Sequence, residues 1–218
     1  WKKIFIQKSD VREKFDDFVT YLIIGIIVGG RLGYVIFYNF DYYISNIFDI
    51  FKVWQGGMSF HGGLLGIIIA SVLFAKRKKI PTFFLLDIIA CVCPLGIFFG
   101  RLANFINAEL VGKTTDIFWG VIFPNIDNTT RHPSQLYEAF LEGLVLLVIM
   151  NIILFRKEYR RATCSYMFLI LYGFFRIISE FFREPDAQIG YLFNLASMGT
   201  VLSILMIIAG MVIYLVKK

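Results

Sequence analysis

Cysteine is scarce in this 218-residue chain, with Cys91, Cys93 and Cys164 as the whole supply. The count is odd, and a Cys-x-Cys spacing within apolar sequence supports neither a disulfide framework nor a zinc site. The three are expected to be small buried core residues. No cluster of carboxylates with metal-ligand spacing is present, so the sequence calls for no metal and no cofactor. No internal repeat aligns, and no low-complexity linker divides the chain. The apolar runs also lack the alternation that marks an outer-membrane barrel. No charged-then-apolar signal segment precedes the first residue, Trp1, and the expectation is a fragment of a longer gene product.

What is there in abundance is apolar surface. Hydrophobic residues make up 58% of the chain and the mean hydropathy is +0.70, against roughly 45–50% apolar residues in soluble domains. The chain therefore reads as an integral membrane protein. Its formal charge of +6 does not point to nucleic acid, because the cations sit in short clusters between apolar runs, as in membrane topology. Six runs, at 18–38, 58–75, 83–105, 134–155, 165–182 and 195–216, are long enough or nearly so to cross a hydrocarbon core of about 20 helical residues. Lipid leaves no partner for free backbone groups, so each is expected to be a helix. The predicted fold is all-α, a single polytopic bundle of about six membrane helices over residues 1–218.

Lysine and arginine counts in the connecting segments alternate without exception. Segments 1–17, 76–82 and 156–164 hold five, four and four, whereas 39–57, 106–133 and 183–194 hold one, two and one. Positive charge is retained on the cytoplasmic side, so loops 39–57, 106–133 and 183–194 are expected to face outward and the C-terminus to be cytoplasmic. The run Lys76–Lys79 reads as a stop signal with lipid-headgroup contacts. At 1.5 Å per residue, Arg31, Arg101, Arg176 and Glu180 lie ~20, ~27, ~17 and ~22 Å from the inner ends of their helices. They therefore share the outer half of the bilayer.

An arginine at such a depth must be paired, hydrated or used. Arg101 opens the polar run Gly100-Arg101-Leu102-Ala103-Asn104-Phe105-Ile106-Asn107-Ala108-Glu109-Leu110-Val111-Gly112. Arg176, Glu180 and Arg183 recur at i, i+4 and i+7, with Tyr172 one turn earlier, and so share a helical face. A self-neutralising Arg176–Glu180 pair would stiffen the bundle, yet buried ion pairs rarely outdo apolar packing, which favours function. With Arg31, the outer half is expected to hold up to four guanidinium groups against one or two carboxylates. That excess calls for an anion, and a guanidinium fork matches the phosphate of a phospholipid headgroup. His61 lies between glycine pairs in Gly56-Gly57-Met58-Ser59-Phe60-His61-Gly62-Gly63, readable either as a general base or as an interfacial residue satisfying a helix end. Gly25, Gly29 and Gly33 form a small-residue face for close helix packing. The run Arg131-His132-Pro133-Ser134-Gln135-Leu136-Tyr137-Glu138 opens a helix, with Pro133 suited to its first turn. Glu138 and Glu142 share a face there, read as a site wall or loop anchor.

Four of these stretches, at 61, 100–109, 131–138 and 175–186, together resemble bacterial phosphatidylglycerol–prolipoprotein diacylglyceryl transferase over roughly residues 29–210. The resemblance implies transfer of the diacylglyceryl group of phosphatidylglycerol to the lipobox cysteine of a preprolipoprotein signal peptide. The transfer forms a thioether and releases glycerol phosphate at the outer face of the bacterial inner membrane. It further implies that Arg101 binds phosphatidylglycerol, that Asn104, Glu109 and Gly112 are its companion positions, and that His61, Arg176 and Glu180 are functional. Arg31 is added to the substrate-binding set by its depth. Ala103 stands where the family has glycine, and the family's additional N-terminal helix, which carries a functional tyrosine, has no counterpart in these residues. A truncated chain is the expected reason.

In the mechanism this implies, Arg101 and Arg176 grip the phosphate and His61 guides the thiol proton, since the thiolate is the competent nucleophile. Two alternatives stand beside it. A metal-dependent CDP-alcohol phosphotransferase would need a dense aspartate motif, and Asp87 stands alone in its helix. A lipid-binding subunit would hold a headgroup without chemistry.

Overall fold

In the computed structural model, residues 9–156, 159–184, 191–192 and 196–217 are described; for 9–13, 60–61, 191–192 and 196 the backbone alone is described. The chain is mostly helical and divides into two compact units, Trp1–Leu85 and Leu86–Lys218. Four of its helices, Lys14–Tyr38, Thr82–Ile106, Ser134–Leu154 and Met198–Lys217, are long and apolar enough to cross a membrane. Runs 58–75 and 165–182 are also helices, Phe60–Lys78 and Thr163–Glu180, but fall outside those four. The second of them carries Arg176 and Glu180, which lower its hydropathy. The coarse class is therefore as expected, with four spans supported by length and composition and two short antiparallel pairs added, Val121–Ile122 with Thr130–Arg131 and Tyr191–Leu192 with Ala196–Ser197.

In the first unit, helix α1 (Ser9–Tyr38) packs on helix α3 (Phe60–Lys78), with the short helix α2 (Phe40–Ser45) and two 3-10 turns between them. The seam is made of backbone. A Cβ at Gly66 would lie 1.9 Å from the Gly25 carbonyl oxygen, and one at Gly29 would lie 2.4 Å from that of Gly62. The small-residue face read from Gly25, Gly29 and Gly33 is thus real, and its partner face is Gly62 and Gly66. Ser59 caps α3 by accepting a hydrogen bond from the Gly62 amide at 3.2 Å.

The same close approach buries Arg31, which is 3% exposed. A guanidinium has five N–H groups, and five carbonyls of the connecting segment accept them. Nε donates to Ile50 at 2.9 Å, Nη1 to Gly56 and Gly57 at 2.5 and 3.2 Å, and Nη2 to Asp49 and Lys52 at 2.6 and 3.2 Å. Its plane also lies 5.1 Å from the centre of the Tyr43 ring, within cation–π range. The buried cation is satisfied by a loop wrapped around it.

The second unit takes in most of α4 (Thr82–Ile106), the hairpin strands β1 (Val121–Ile122) and β2 (Thr130–Arg131), and helix α5 (Ser134–Leu154). Helix α6 (Thr163–Glu180), strands β3 (Tyr191–Leu192) and β4 (Ala196–Ser197), and helix α7 (Met198–Lys217) complete it. Helix α5 widens into a π turn over Ala139–Val145. Asp87 of α4 is buried and ties down the start of α6, accepting from the Ala162 amide at 2.7 Å and from the Ser165 amide and hydroxyl at 2.7 and 2.6 Å, with the Tyr159 hydroxyl as a further donor. A carboxylate fits there because the first N–H groups of a helix have no intrahelical partner. Its oxygens are thus engaged in holding the fold. Cys91 and Cys164 are buried, as expected of core residues, whereas Cys93 is only partly buried.

Substitution of Gly66 by alanine should force α1 and α3 apart, a loss of about 1–3 kcal/mol by overpacking. A lowered thermal unfolding midpoint in detergent would report it. An unchanged midpoint would mean that the two backbones do not meet at Gly25 and Gly66.

Candidate active site

Three helices of the second unit place their charged side chains at one point. Along α5, Gln135, Glu138 and Glu142 follow one another at helical spacing, and all three are fully buried. Along α6 the matching stripe is Tyr172, Arg176, Ser179 and, just beyond the helix, Arg183, again all buried. Arg101 comes from the last turns of α4. Gly143 lets α4 approach, since a Cβ there would be 2.8 Å from the Phe98 Cα. The π turn lies between Glu138 and the rest of α5, and such bulges recur at functional sites.

The result is a closed network of guanidinium and carboxylate groups. Arg101 Nε lies 3.1 Å from Glu138 Oε2, and its Nη2 lies 3.3 Å from Glu142 Oε2. Arg176 Nη1 is 2.5 Å from Glu138 Oε1 and 3.7 Å from Glu142 Oε1, while its Nη2 is 2.6 Å from Glu180 Oε2. Arg183 Nη1 reaches to 3.7 Å from Glu138 Oε1. The Arg176–Glu180 pair is therefore present as expected. The expected excess of positive charge is not. Among the described residues, Arg101, Arg176 and Arg183 meet Glu138, Glu142 and Glu180, three cations against three anions, and the N–H groups of Arg31 go to backbone carbonyls in the first unit. Glu138 and Glu142, expected as a site wall or loop anchor, instead supply two of the carboxylates. Their i, i+4 spacing showed a common face, but nothing local showed that both arginines share it.

The polar run at 100–112 divides in two. Arg101 enters the network, whereas the rest forms the turn that leaves α4. The Asn104 carbonyl accepts the Glu109 amide at 2.8 Å, and Ala108 and Leu110 on either side of Glu109 adopt left-handed backbone (φ 55° and 52°). Such backbone costs a non-glycine residue free energy and persists only where surroundings hold it. Here the Glu109 carbonyl is held by Gln135 Nε2 at 2.7 Å, and the Glu109 side chain is exposed. Gly112 lies between two other segments. A Cβ would meet the His132 carbonyl oxygen at 2.2 Å and that of Phe182 at 2.8 Å, so only glycine fits. Lys113 pairs on both sides, its amide to Phe182 at 2.9 Å and its carbonyl from the His132 amide at 2.9 Å. His61 lies in the first turn of α3, and its side chain is outside the described residues, as is most of the expected outward loop 183–194.

Arg131 fastens this outer layer. It is buried and donates to the Gly112 carbonyl at 3.0 Å, to Asp127 Oδ2 at 2.6 Å, and to Glu184. Beside it a cavity of about 360 Å³ is lined by Trp119, His132, Leu136, Tyr137, Phe140, Leu141 and Phe182. Its polar edge is the Tyr137 hydroxyl, which accepts from Trp119 Nε1 at 2.7 Å. The cavity lining is aromatic and apolar apart from His132 and the Tyr137 hydroxyl.

The hydrogen bonds from Arg131 and then Thr129 hold the Asp127 carboxyl below its ordinary value of 3.8. A carboxyl depressed on folding stabilises fully above its unfolded pKa and loses that contribution as pH falls towards the folded one. Loop 107–133 should therefore loosen below about pH 4, read as faster proteolysis in wild-type protein. An Asp127→Asn variant should show the faster cleavage already at neutral pH.

Comparison with known proteins bears on the whole chain. A model of the prolipoprotein diacylglyceryl transferase family matches residues 1–216. A phosphatidylglycerol–prolipoprotein diacylglyceryl transferase of Rickettsia bellii (strain OSU 85-389) is 53% identical over 209 residues, 95% of this chain and 79% of that protein. One from Rickettsia canadensis (strain McKiel) is 54% identical over 201 residues, 91% and 78% of the two chains. One from Wolbachia pipientis subsp. Culex pipiens (strain wPip) is 49% identical over 217 residues, 98% and 82%.

Proposed function

The chain belongs to the prolipoprotein diacylglyceryl transferase family, and from that premise we propose that it moves the diacylglyceryl group of phosphatidylglycerol onto the lipobox cysteine of preprolipoproteins, the first step of lipoprotein maturation. The observation that carries the mechanism is the convergence of Arg101 and Arg176 on the same buried carboxylates, Glu138 and Glu142. Two guanidinium groups that share counter-ions lie close enough to share one incoming phosphate.

The sulfur attacks the glycerol carbon that bears the phosphate. A C–S bond forms, the C–O bond breaks, and its electron pair leaves on glycerol phosphate. Charge grows on the departing phosphate oxygen, where preorganised arginine donors in a water-poor site act most strongly. Arg101 and Arg176 supply them, and Glu180 orients Arg176 from 2.6 Å. The thiol must lose its proton, and His61 guides it in this reading. Asn104, Glu109 and Gly112 act by shaping the floor, Gly112 through its close approach to the backbone carbonyls of His132 and Phe182. Arg31 acts through the loop it holds. The substrate signal peptide, the outward-facing loops, the cytoplasmic C-terminus, the single six-helix membrane domain and the bacterial inner-membrane location complete the proposal.

Arg101→Ala and Arg176→Ala chains in phosphatidylglycerol vesicles should each lose at least about 10²-fold in thioether formation on a lipobox peptide. Undiminished transfer would remove that arginine from the phosphate site. A His61→Gln chain should lose at least about 10²-fold in rate. A wild-type rate from about pH 6 to pH 9 would remove His61 from proton transfer.

A further inference from the structure

The network leaves one matter of charge open. Among the described residues, three guanidinium groups and three carboxylates neutralise one another, and the side chains of Glu138 and Glu142 have no exposed surface. A phosphodiester brings a fourth negative charge to a buried cluster with none to spare. Burying an uncompensated charge costs several kcal/mol, so one carboxylate must give up its own charge.

The geometry distinguishes the candidates. Glu138 is held by three arginines, with Arg176 at 2.5 Å, Arg101 at 3.1 Å and Arg183 at 3.7 Å. Glu180 sits 2.6 Å from Arg176 Nη2. Glu142 is the most weakly held. Its closest donor is Arg101 Nη2 at 3.3 Å, and its other oxygen lies 3.7 Å from Arg176. The groups facing it are Arg101 from α4, Arg176 and Tyr172 from α6, and Glu138 on its own helix.

We infer that Glu142 is the counter-ion the phosphodiester replaces: Glu142 takes up a proton as the anionic headgroup binds to Arg101 and Arg176. This rests on the phosphate-binding reading of the site and adds to it a residue that sets affinity and its pH dependence. Protonation leaves the network one positive charge, which matches the single negative charge of a phosphodiester. It also releases Arg101 Nη2, whose one carboxylate contact among the described residues is Glu142, to face the phosphate. Glu138 stays ionised and keeps both arginines aligned. Glu142 touches no reacting atom in this scheme and is a positioning residue. Until an anion arrives, it keeps the two arginines neutralised and in place within apolar surroundings.

The test is equilibrium binding of phosphatidylglycerol to the full chain in neutral detergent micelles, from about pH 6 to pH 9, with proton uptake followed by an indicator dye. Wild-type affinity should fall with rising pH, by up to roughly tenfold per unit for one coupled proton, and close to one proton should be taken up per lipid at the alkaline end. Glu142→Gln, which mimics the protonated carboxyl, should bind at alkaline pH as tightly as the wild type does at acid pH, with the slope gone. Affinity independent of pH in the wild type, or the same slope in Glu142→Gln, would overturn the inference while leaving the phosphate site standing. Absence of binding at every pH would overturn the phosphate site and the inference with it. Should Glu142→Gln fail to fold, the proton count on wild-type protein decides alone, zero protons per lipid being the negative result.

Discussion

A charge taken out of water must find a partner in the protein, and the second unit is organised around that requirement. Moving an ion into an apolar interior costs several kcal/mol that only close, well-directed partners return. Arg101, Arg176 and Arg183 find theirs in Glu138, Glu142 and Glu180, and each pairing fixes where a helix can lie. Glu138 and Glu142 can serve arginines of α4 and α6 together only if α5 is packed against both. Gly143 removes the side chain that would keep α4 away. A bundle held in this way has little freedom to let its arginines drift.

The first unit meets the same requirement with different chemistry. Arg31 has no carboxylate contact among its hydrogen bonds; five carbonyls of the segment between α2 and α3 take its five N–H groups. A loop that would otherwise have little reason to adopt one shape is thereby wound around a cation. Both solutions depend on glycine where backbones touch, at Gly29, Gly62 and Gly66 in one unit and at Gly112 in the other. Gly112 shows how a motif position can matter without touching substrate, because any side chain there would strike the carbonyls that close the outer layer.

Much of this was legible in the residues in order. Apolar runs bounded by basic clusters gave helices in the expected places, because a chain in lipid has few other ways to satisfy its backbone. The glycine face on α1 and the Arg176–Glu180 pair were readable because both are local, set by helical spacing alone. Glu138 and Glu142 were visible as a shared face, but their role was not. Which arginines that face meets depends on the packing of three helices far apart in sequence, and on a π turn that no residue type announces. The partners of Arg31 were not readable for the same reason, since they are backbone carbonyls and these carry no sequence signature.

The sequence by itself determined that the chain is a helical membrane protein of the diacylglyceryl transferase family. Hydropathy, charge clusters and motif order are properties of residues and survive without coordinates. The tertiary structure alone decided the charge balance. Whether a buried arginine is available or neutralised depends on distances of 2.5–3.7 Å between side chains from different helices, and Coulomb attraction and desolvation act over those distances rather than along the chain.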